Sequence, residues 1–209
     1  MSPNAMLRDL LLQACDRNDL DKVRHSLGLG ANVNWTRDSD GISGLHIAAG
    51  RNYGELLELL LSQPGVDVNI TDKYNMTPLM LACNRGHENI VRRLCQVNGI
   101  KLNVRDSVGW TALHHAVFNN YPQCVEILGT LPNVGRNVAQ IADWNMTMTG
   151  LGDDRATFVM YCLKRNKIEM ARCLINTPGV DLDTVDRDGK YLETIARDNN
   201  LTDGCWTYC

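Results

Sequence analysis

Apolar residues recur at helical spacing along this chain, and the middle of the sequence shows the pattern most clearly. Leu79 and Ala82 lie about one helical turn apart and therefore share a helix face. A second apolar stripe follows at Ile90, Val91 and Leu94. The two stripes predict two short helices in succession. Neither helix can bury its apolar face alone, so each must pack against neighbouring elements.

The predicted helix pair recurs with a period of 34 residues. The small residues that mark the same place in successive units are Ala14, Ala48, Ala82, Ala116, Cys162 and Ala196. One step, from Ala116 to Cys162, is 46 residues and exceeds the period by 12. A fixed period of this length indicates a linear array, in which successive units bury one another's apolar faces.

Three units open on related phrases, at 43–48, 77–82 and 111–116. The middle phrase, Thr-Pro-Leu-Met-Leu-Ala, resembles the ankyrin signature Thr-Pro-Leu-His-x-Ala, and the other two keep its Leu, His and Ala. Tetratricopeptide units share the length of 34, but they lack this opening and the Gly, Pro and Asn segment that 63–72 provides. The resemblance to ankyrin repeat proteins implies an all-α fold, an α-solenoid of stacked helix-turn-helix units with β-hairpin or turn fingers.

The resemblance also implies one ankyrin-repeat domain over 1–209, with about six units. The approximate repeats are 5–34, 35–69, 70–103, 104–137, 153–183 and 184–209. The surplus residues form an inserted finger at 138–152, and such insertions often lie on the binding face, although a loop without a role is an equal alternative. The last unit has Glu193 where the family has Leu, so we expect its first helix to be shifted or frayed.

Several polar residues have structural roles in this pattern. Thr77 can cap the first helix of its unit, and Pro78 fits the first turn because no amide hydrogen is needed there. The resemblance implies that His46 and His114 bridge neighbouring turns through hydrogen bonds. His115 stands alone and has no such assignment.

Composition limits the partner classes. A net charge of -3 and a pI near 5.9 give no reason to expect nucleic acid. The start of the chain has no basic segment followed by an apolar run, and no stretch approaches the length of a membrane span. We therefore expect an intracellular protein, cytoplasmic or nuclear, that does not insert into membranes and is monomeric on its own.

Catalytic, metal and cofactor motifs are missing from the sequence. No nucleophile motif, phosphate loop, His-Glu-x-x-His or paired-acid motif occurs, so we expect a protein that is not an enzyme and carries no cofactor. Single cysteines without a C-x-x-C pair predict buried, reduced thiols and no metal site. These cysteines are Cys15, Cys83, Cys95, Cys124, Cys162 and Cys173. Cys205 and Cys209, four residues apart, could share a helix face, and a redox or metal role is the alternative for this pair.

Ankyrin arrays hold other proteins or peptides on a concave surface formed by the turn tips and the first helices, and the resemblance transfers that surface to this chain. The candidate partner-binding residues are Asp40, Ile42, Arg51, Lys73, Tyr74, Met76, Asn84, Arg85, Ser107, Val108, Trp110, Phe118, Asn119, Lys164 and Arg165. Tyr74, Met76, Val108, Trp110 and Phe118 form an apolar patch among them, and exposed apolar patches mark contact sites. The alternative is that Trp110 and Phe118 simply pack on each other or under the finger loop.

The function expected from this surface is that of a non-catalytic scaffold or adaptor. A peptide or helix of another protein would lie across the third and fourth units, with Arg51, Arg85 and Arg165 pairing its acidic groups. One alternative is a recognition fragment of a larger enzyme, ubiquitin-ligase adaptor or channel. Another is a reader of methyl-lysine peptides, with Trp110, Tyr74 or Phe118 and an acid such as Asp40 forming an aromatic cage. The resemblance further implies that Asn69 or Asn103 could be hydroxylated by an asparaginyl oxygenase.

Overall fold

The computed structural model describes residues 3–130, 157–175, 183, 185–186 and 188–198. These residues form short α-helices joined by tight turns, with isolated bridges between Thr36 and Ser43 and between Val185 and Tyr191. The helices are α1 (Pro3–Asp16), α2 (Leu20–Gly28), α3 (Gly44–Arg51), α4 (Gly54–Leu61), α5 (Pro78–Arg85), α6 (Glu88–Cys95), α7 (Ala112–Phe118), α8 (Pro122–Thr130), α9 (Phe158–Lys164), α10 (Ile168–Ile175) and α11 (Leu192–Asp198).

The helices stack in two layers. The first helix of each unit contacts the first helix of the next, from α1 through α3, α5, α7 and α9 to α11. The second helices α2, α4, α6, α8 and α10 form a parallel row behind them. The predicted all-α solenoid of stacked helix pairs is confirmed.

A single apolar core runs between the two layers. Leu45, Leu79 and Leu113, the same position in three units, are each no more than 2% exposed and belong to one continuous cluster. All six marker residues of the period, Ala14 through Ala196, are buried in the same cluster. Small side chains at these positions let neighbouring helices approach closely, which is the packing that the period predicts.

The helix starts follow the capping prediction. Thr77 Oγ1 accepts a hydrogen bond from the backbone N–H of Met80 at 3.2 Å, and Pro78 occupies the first turn of α5. Ser43 caps α3 in the same way, with His46 three residues later. At the start of α7, the Thr111 N–H donates to Nδ1 of His114 at 3.2 Å. Both predictions, for the cap and for the proline, are confirmed.

The first helices α1, α3, α5, α7 and α9 are each followed, one or two residues after their last residue, by a residue with a left-handed backbone. These residues are Asn18, Asn52, Gly86, Asn120 and Asn166, at the same position in five units. Asparagine and glycine adopt a positive φ at lower cost than other residues. Gly86 has a second reason to lack a side chain, because a Cβ there would lie 2.4 Å from the Tyr121 ring.

Two departures from the family pattern have physical explanations. Gly44 replaces proline because a Cβ at this site would lie only 3.1 Å from Cys15 Sγ and 3.2 Å from Leu60. The expectation of a shifted or frayed helix in the last unit is wrong, since α11 begins 34 residues after α9 and is in register. Among the described first helices, α11 is the last, and it packs against α9 on one side. Leu192 and Ile195 are therefore buried, while Glu193 faces solvent.

The stack continues across the surplus residues. Helices α9 and α10 contact α7 and α8, and the rings of His114 and Phe158 lie 4.8 Å apart across that junction. The inserted finger predicted at 138–152 lies outside the described residues, as do Cys205 and Cys209.

Candidate functional site

The turn tips are held rigidly by buried aspartates. Asp72 Oδ1 accepts hydrogen bonds from the backbone N–H groups of Tyr74 and Met76, both at 2.8 Å. Asp106 does the same for Val108 at 3.0 Å and Trp110 at 2.8 Å. A carboxylate that accepts two amide hydrogens fixes the turn, so the residues at its tip have a defined direction.

Adjacent tips are joined by backbone hydrogen bonds. Lys73 N–H donates to the Asp40 carbonyl at 3.0 Å, and Ser107 N–H donates to the Tyr74 carbonyl at 2.8 Å. Tyr74 is 56% exposed and Val108 is 66% exposed on this row. We call the surface formed by Lys73, Tyr74, Ser107 and Val108 the tip surface. It places two large apolar side chains in solvent on an ordered backbone.

The apolar patch predicted from sequence is only partly exposed. Trp110 is half-buried, because it packs on Phe118 with ring centroids 5.0 Å apart and on His115 at 5.3 Å. Met76 is also half-buried and packs against the core. Phe118 remains 39% exposed. Trp110 and Phe118 therefore pack on each other, while Phe118 keeps part of its ring in solvent.

His115 does not stand alone, contrary to the sequence expectation. Its Nε2 lies 2.9 Å from Asp106 Oδ2, and both side chains are nearly buried. Asp106 therefore connects the turn to α7 through one oxygen while its other oxygen holds the tip. This pair was not visible in the sequence because it requires the turn to fold back onto the helix.

The aromatic residues near Phe118 already hold a cation of the same chain. Lys167 Nζ lies 5.7 Å from the Phe118 ring centroid and 5.3 Å from that of Tyr161, and it donates to the carbonyls of Val117 and Phe118. Arg165 lies over Tyr161 at 5.8 Å. This arrangement favours an internal aromatic–cation cluster over a cage for an external methylated lysine, and it gives Arg165 a contact within the chain.

Two other arginines assigned to a partner also have contacts within the chain. Arg51 donates to the Asp16 carbonyl at 2.5 Å and forms an ion pair with its carboxylate at 2.9 Å. Arg85 donates to the Gly50 carbonyl. Both carbonyls lie at the end of the preceding first helix, where backbone acceptors lack intrahelical partners. Each arginine therefore caps the first helix of the neighbouring unit, and its role in partner binding stays a prediction.

Four of the remaining predicted residues also have polar contacts within the chain. Asn119 donates to Asn84 Oδ1 at 2.8 Å, so these two amides bond each other across units. Lys164 pairs with the buried carboxylate of Asp186 at 2.9 Å and joins the fifth unit to the sixth. Asp40 accepts the Ile42 N–H at 3.1 Å and lies 3.4 Å from Arg37.

A cleft of about 200 Å³ opens beside α3 and α5. Its lining residues are Asp16, Arg37, Ile42, His46, Ile47, Gly50, Arg51, Leu81 and Arg85. We call it the arginine cleft. Sequence reasoning found Ile42, Arg51 and Arg85 but missed Arg37, Ile47 and Leu81. Ile47 and Leu81 stand four residues before Arg51 and Arg85, on the same helix face, and that spacing could have identified them.

The cysteine thiols are poor candidates for chemistry. Burial raises the pKa of Cys15 and of Cys162 to about 12 and that of Cys124 to about 11, so these thiols stay protonated near neutral pH. Within the described residues the structure has no cluster of His, Cys, Asp and Glu that could hold a metal ion. Five of the six thiols predicted to be buried are buried, and Cys173 is half-buried.

Comparison with known proteins agrees with the architecture. A family model described as ankyrin repeats in three copies matches residues 11–106 and 45–140. Human Rabankyrin-5 is 34% identical over 58 residues, which are 28% of this chain and 5% of the relative, and mouse Rabankyrin-5 is 31% identical over the same length and shares. The chain thus spans about 5% of the length of the curated relatives it matches. In the part of the chain that is described, no helix combines the length and apolar character needed to cross a bilayer.

Proposed function

The chain belongs to the ankyrin repeat family, whose repeats generally mediate protein–protein interaction, and from that premise we propose that it is a non-catalytic scaffold or adaptor. It holds another protein or peptide on the surface formed by the turn tips and the first helices. The single observation that carries this proposal is the tip surface, where Tyr74 and Val108 are exposed on a backbone that buried aspartates fix in place.

The exposed residues have the chemistry of an interface. Tyr74 supplies a large rigid ring with a polar end, and such residues are enriched among those that dominate binding energy. Lys73 Nζ lies over this ring at 5.0 Å, which adds a charge beside the apolar contact. Phe118 extends the surface from the tips towards the end of α7. Covering an exposed ring with a partner removes apolar surface from water, and this favours docking here.

A non-catalytic role is supported by the environments of the histidine and cysteine side chains. His46 and His115 are engaged in structural hydrogen bonds, and burial raises the pKa of Cys15 and Cys162. Free cysteines are typical of a reducing compartment, so we propose a cytoplasmic or nuclear location.

The proposal is tested by quantitative affinity capture with the full chain as bait. The test variant is Tyr74→Asp combined with Val108→Asp. The matched control is Met6→Asp combined with Leu29→Asp, which places the same charges on exposed apolar residues of the first unit, away from the tips. Proteins that the wild type retains should be lost with the tip variant and kept with the control. Each protein that is lost in this way should then bind the purified wild-type chain in solution.

Helix content and the denaturation midpoint of both variants show whether the fold is intact. A set of retained proteins that is the same for wild type, tip variant and control would contradict the proposal.

A further inference from the structure

The arginine cleft lies beside the proposed docking surface and combines charge with an apolar floor. Arg37, Arg51 and Arg85 surround it with Asp16 as the acidic member of its lining. Asp16 already bridges two of these arginines, since its carboxylate lies 2.8 Å from Arg37 and 2.9 Å from Arg51. The cleft is therefore an ordered cationic site, held by ion pairs that fix the arginine side chains.

The charge of the cleft is opposite in sign to that of the chain. Its lining carries three arginines and one aspartate, which leaves two positive charges, and Asp40 beside Arg37 at 3.4 Å reduces this to one. The whole chain has a net charge of -3. A positive site on a negative protein attracts an acidic group selectively and disfavours a basic one.

Arg85 supplies the donors for such a group. One of its terminal nitrogens donates to the Gly50 carbonyl, but a guanidinium has five N–H donors in a planar fork. Within the described residues Arg85 forms no ion pair with a carboxylate, whereas Arg37 and Arg51 both do. Its remaining donors match a carboxylate in a bidentate geometry.

The floor of the cleft defines what should flank the acidic group. Ile42, Ile47 and Leu81 are the large aliphatic members of its lining. Its volume of about 200 Å³ suits one or two side chains and not a folded element. An aliphatic side chain could cover this floor while a neighbouring carboxylate reaches Arg85.

Building on the proposed function, we propose that the arginine cleft binds an Asp or Glu side chain of an extended partner peptide, next to an aliphatic residue that packs on Ile47 and Leu81. The cleft thereby selects acidic–aliphatic segments among the peptides that the first-helix surface can hold. Arg85 is the residue that contacts the carboxylate, and Asp16 positions Arg37 and Arg51 around it.

The test uses a phage-displayed library of random linear peptides as the probe and the immobilised full chain as the target. Enriched peptides should carry Asp or Glu beside Leu, Ile, Val or Met. Synthetic copies should bind Arg85→Glu about tenfold or more weakly, because the reversal removes a charge pair and adds a like-charge contact. Selection on Arg85→Glu should instead enrich Lys or Arg.

Two further variants separate binding from folding. Arg92→Glu makes the same charge change in the same unit, on the exposed side of α6 in the other layer, and should bind the peptides as the wild type does. Arg85→Gln removes the charge and keeps a polar side chain with N–H donors, so weaker binding by this variant with an unchanged denaturation midpoint would assign the effect to the lost charge pair.

Each other outcome overturns the inference. Enriched peptides without an acidic residue, or acidic peptides that bind Arg85→Glu and Arg85→Gln undiminished, exclude the cleft as their site. Failure to enrich any peptide on the wild type excludes it as well. Loss of binding with the Tyr74 and Val108 variant but not with the Arg85 variants would leave the proposed function standing while the cleft inference fails.

Discussion

At the residue scale, the histidine of the ankyrin motif holds the array together. His46 Nε2 lies 2.8 Å from the Met76 carbonyl in the next unit, while Nδ1 accepts the Ser43 N–H at 3.2 Å. This pattern places the proton on Nε2 and leaves Nδ1 as an acceptor. The resemblance predicted such a bridge, and the structure confirms it for His46. A second proton on Nδ1 would remove the acceptor that Ser43 requires.

The stability of the fold should therefore decrease in acid. Burial lowers the pKa of His46 below its ordinary value near 6.5, so the unfolded chain takes up this proton first. The contribution is complete above about pH 6.5 and is lost as the pH falls towards the folded pKa, at a limiting slope of about 1.4 kcal/mol per pH unit for one proton. Urea unfolding midpoints between pH 7.5 and 5 measure it.

The matched variant for this prediction is His46→Gln, which removes the titrating ring. Its stability should fall less steeply with decreasing pH than that of the wild type, although it is less stable at neutral pH. Equal slopes for the two proteins over this range would show that His46 does not take part.

At the element scale, successive units are linked at the ends of their first helices. Arg51, Arg85 and Lys167 each donate to a carbonyl at the end of the preceding first helix, at Asp16, Gly50 and Phe118 respectively. Carbonyls in the last turn of a helix have no intrahelical hydrogen-bond donor. A cation beside them also interacts favourably with the negative end of the helix dipole. The arginines that looked available for a partner thus have a structural role, although Arg85 keeps spare donors.

Lys167 provides a direct test of these links because it joins the units on either side of the inserted residues. Replacing it with methionine keeps much of the apolar stem but removes the donors to Val117 and Phe118, at a cost of about 1 kcal/mol. Amide hydrogen exchange should become about fivefold faster in α9 and α10, while α3 to α6 stay unchanged.

The control for Lys167→Met is Lys101→Met, a change at an exposed lysine. It should leave exchange throughout the chain as in the wild type. Equal protection of α9 and α10 in the wild type and in Lys167→Met would contradict a linking role for Lys167.

At the scale of the whole molecule, the period and the opening motif of the repeat together predicted the fold. A spacing of 34 residues fixed the helix pairs, and the small marker residues identified the buried contact even across the surplus step. The left-handed positions repeat in the same register, and Asn18 and Asn166 mark the first and fifth units in the sequence. Repeated local geometry is what a sequence encodes most directly.

The site could be predicted only in part, because its side chains bond across units. Trp110 was correctly placed near Phe118, but whether the pair faces solvent depends on how α7 packs, which no local pattern specifies. Arg51 meets Asp16 from 35 residues away, and such pairs depend on the stacking geometry. Tyr74 and Val108 were predictable because a turn tip faces solvent whatever its neighbours are.

The most direct measurement of partner docking is hydroxyl-radical footprinting of the full chain, alone and saturated with a partner confirmed in solution. We predict that Tyr74, Val108 and Phe118 lose reactivity on binding while Met6 and Leu29 keep theirs. Protection confined to the second-helix layer, for example at Leu59 and Leu61 of α4, with Tyr74 and Val108 as reactive as in the free chain, would contradict docking on the tip and first-helix surface.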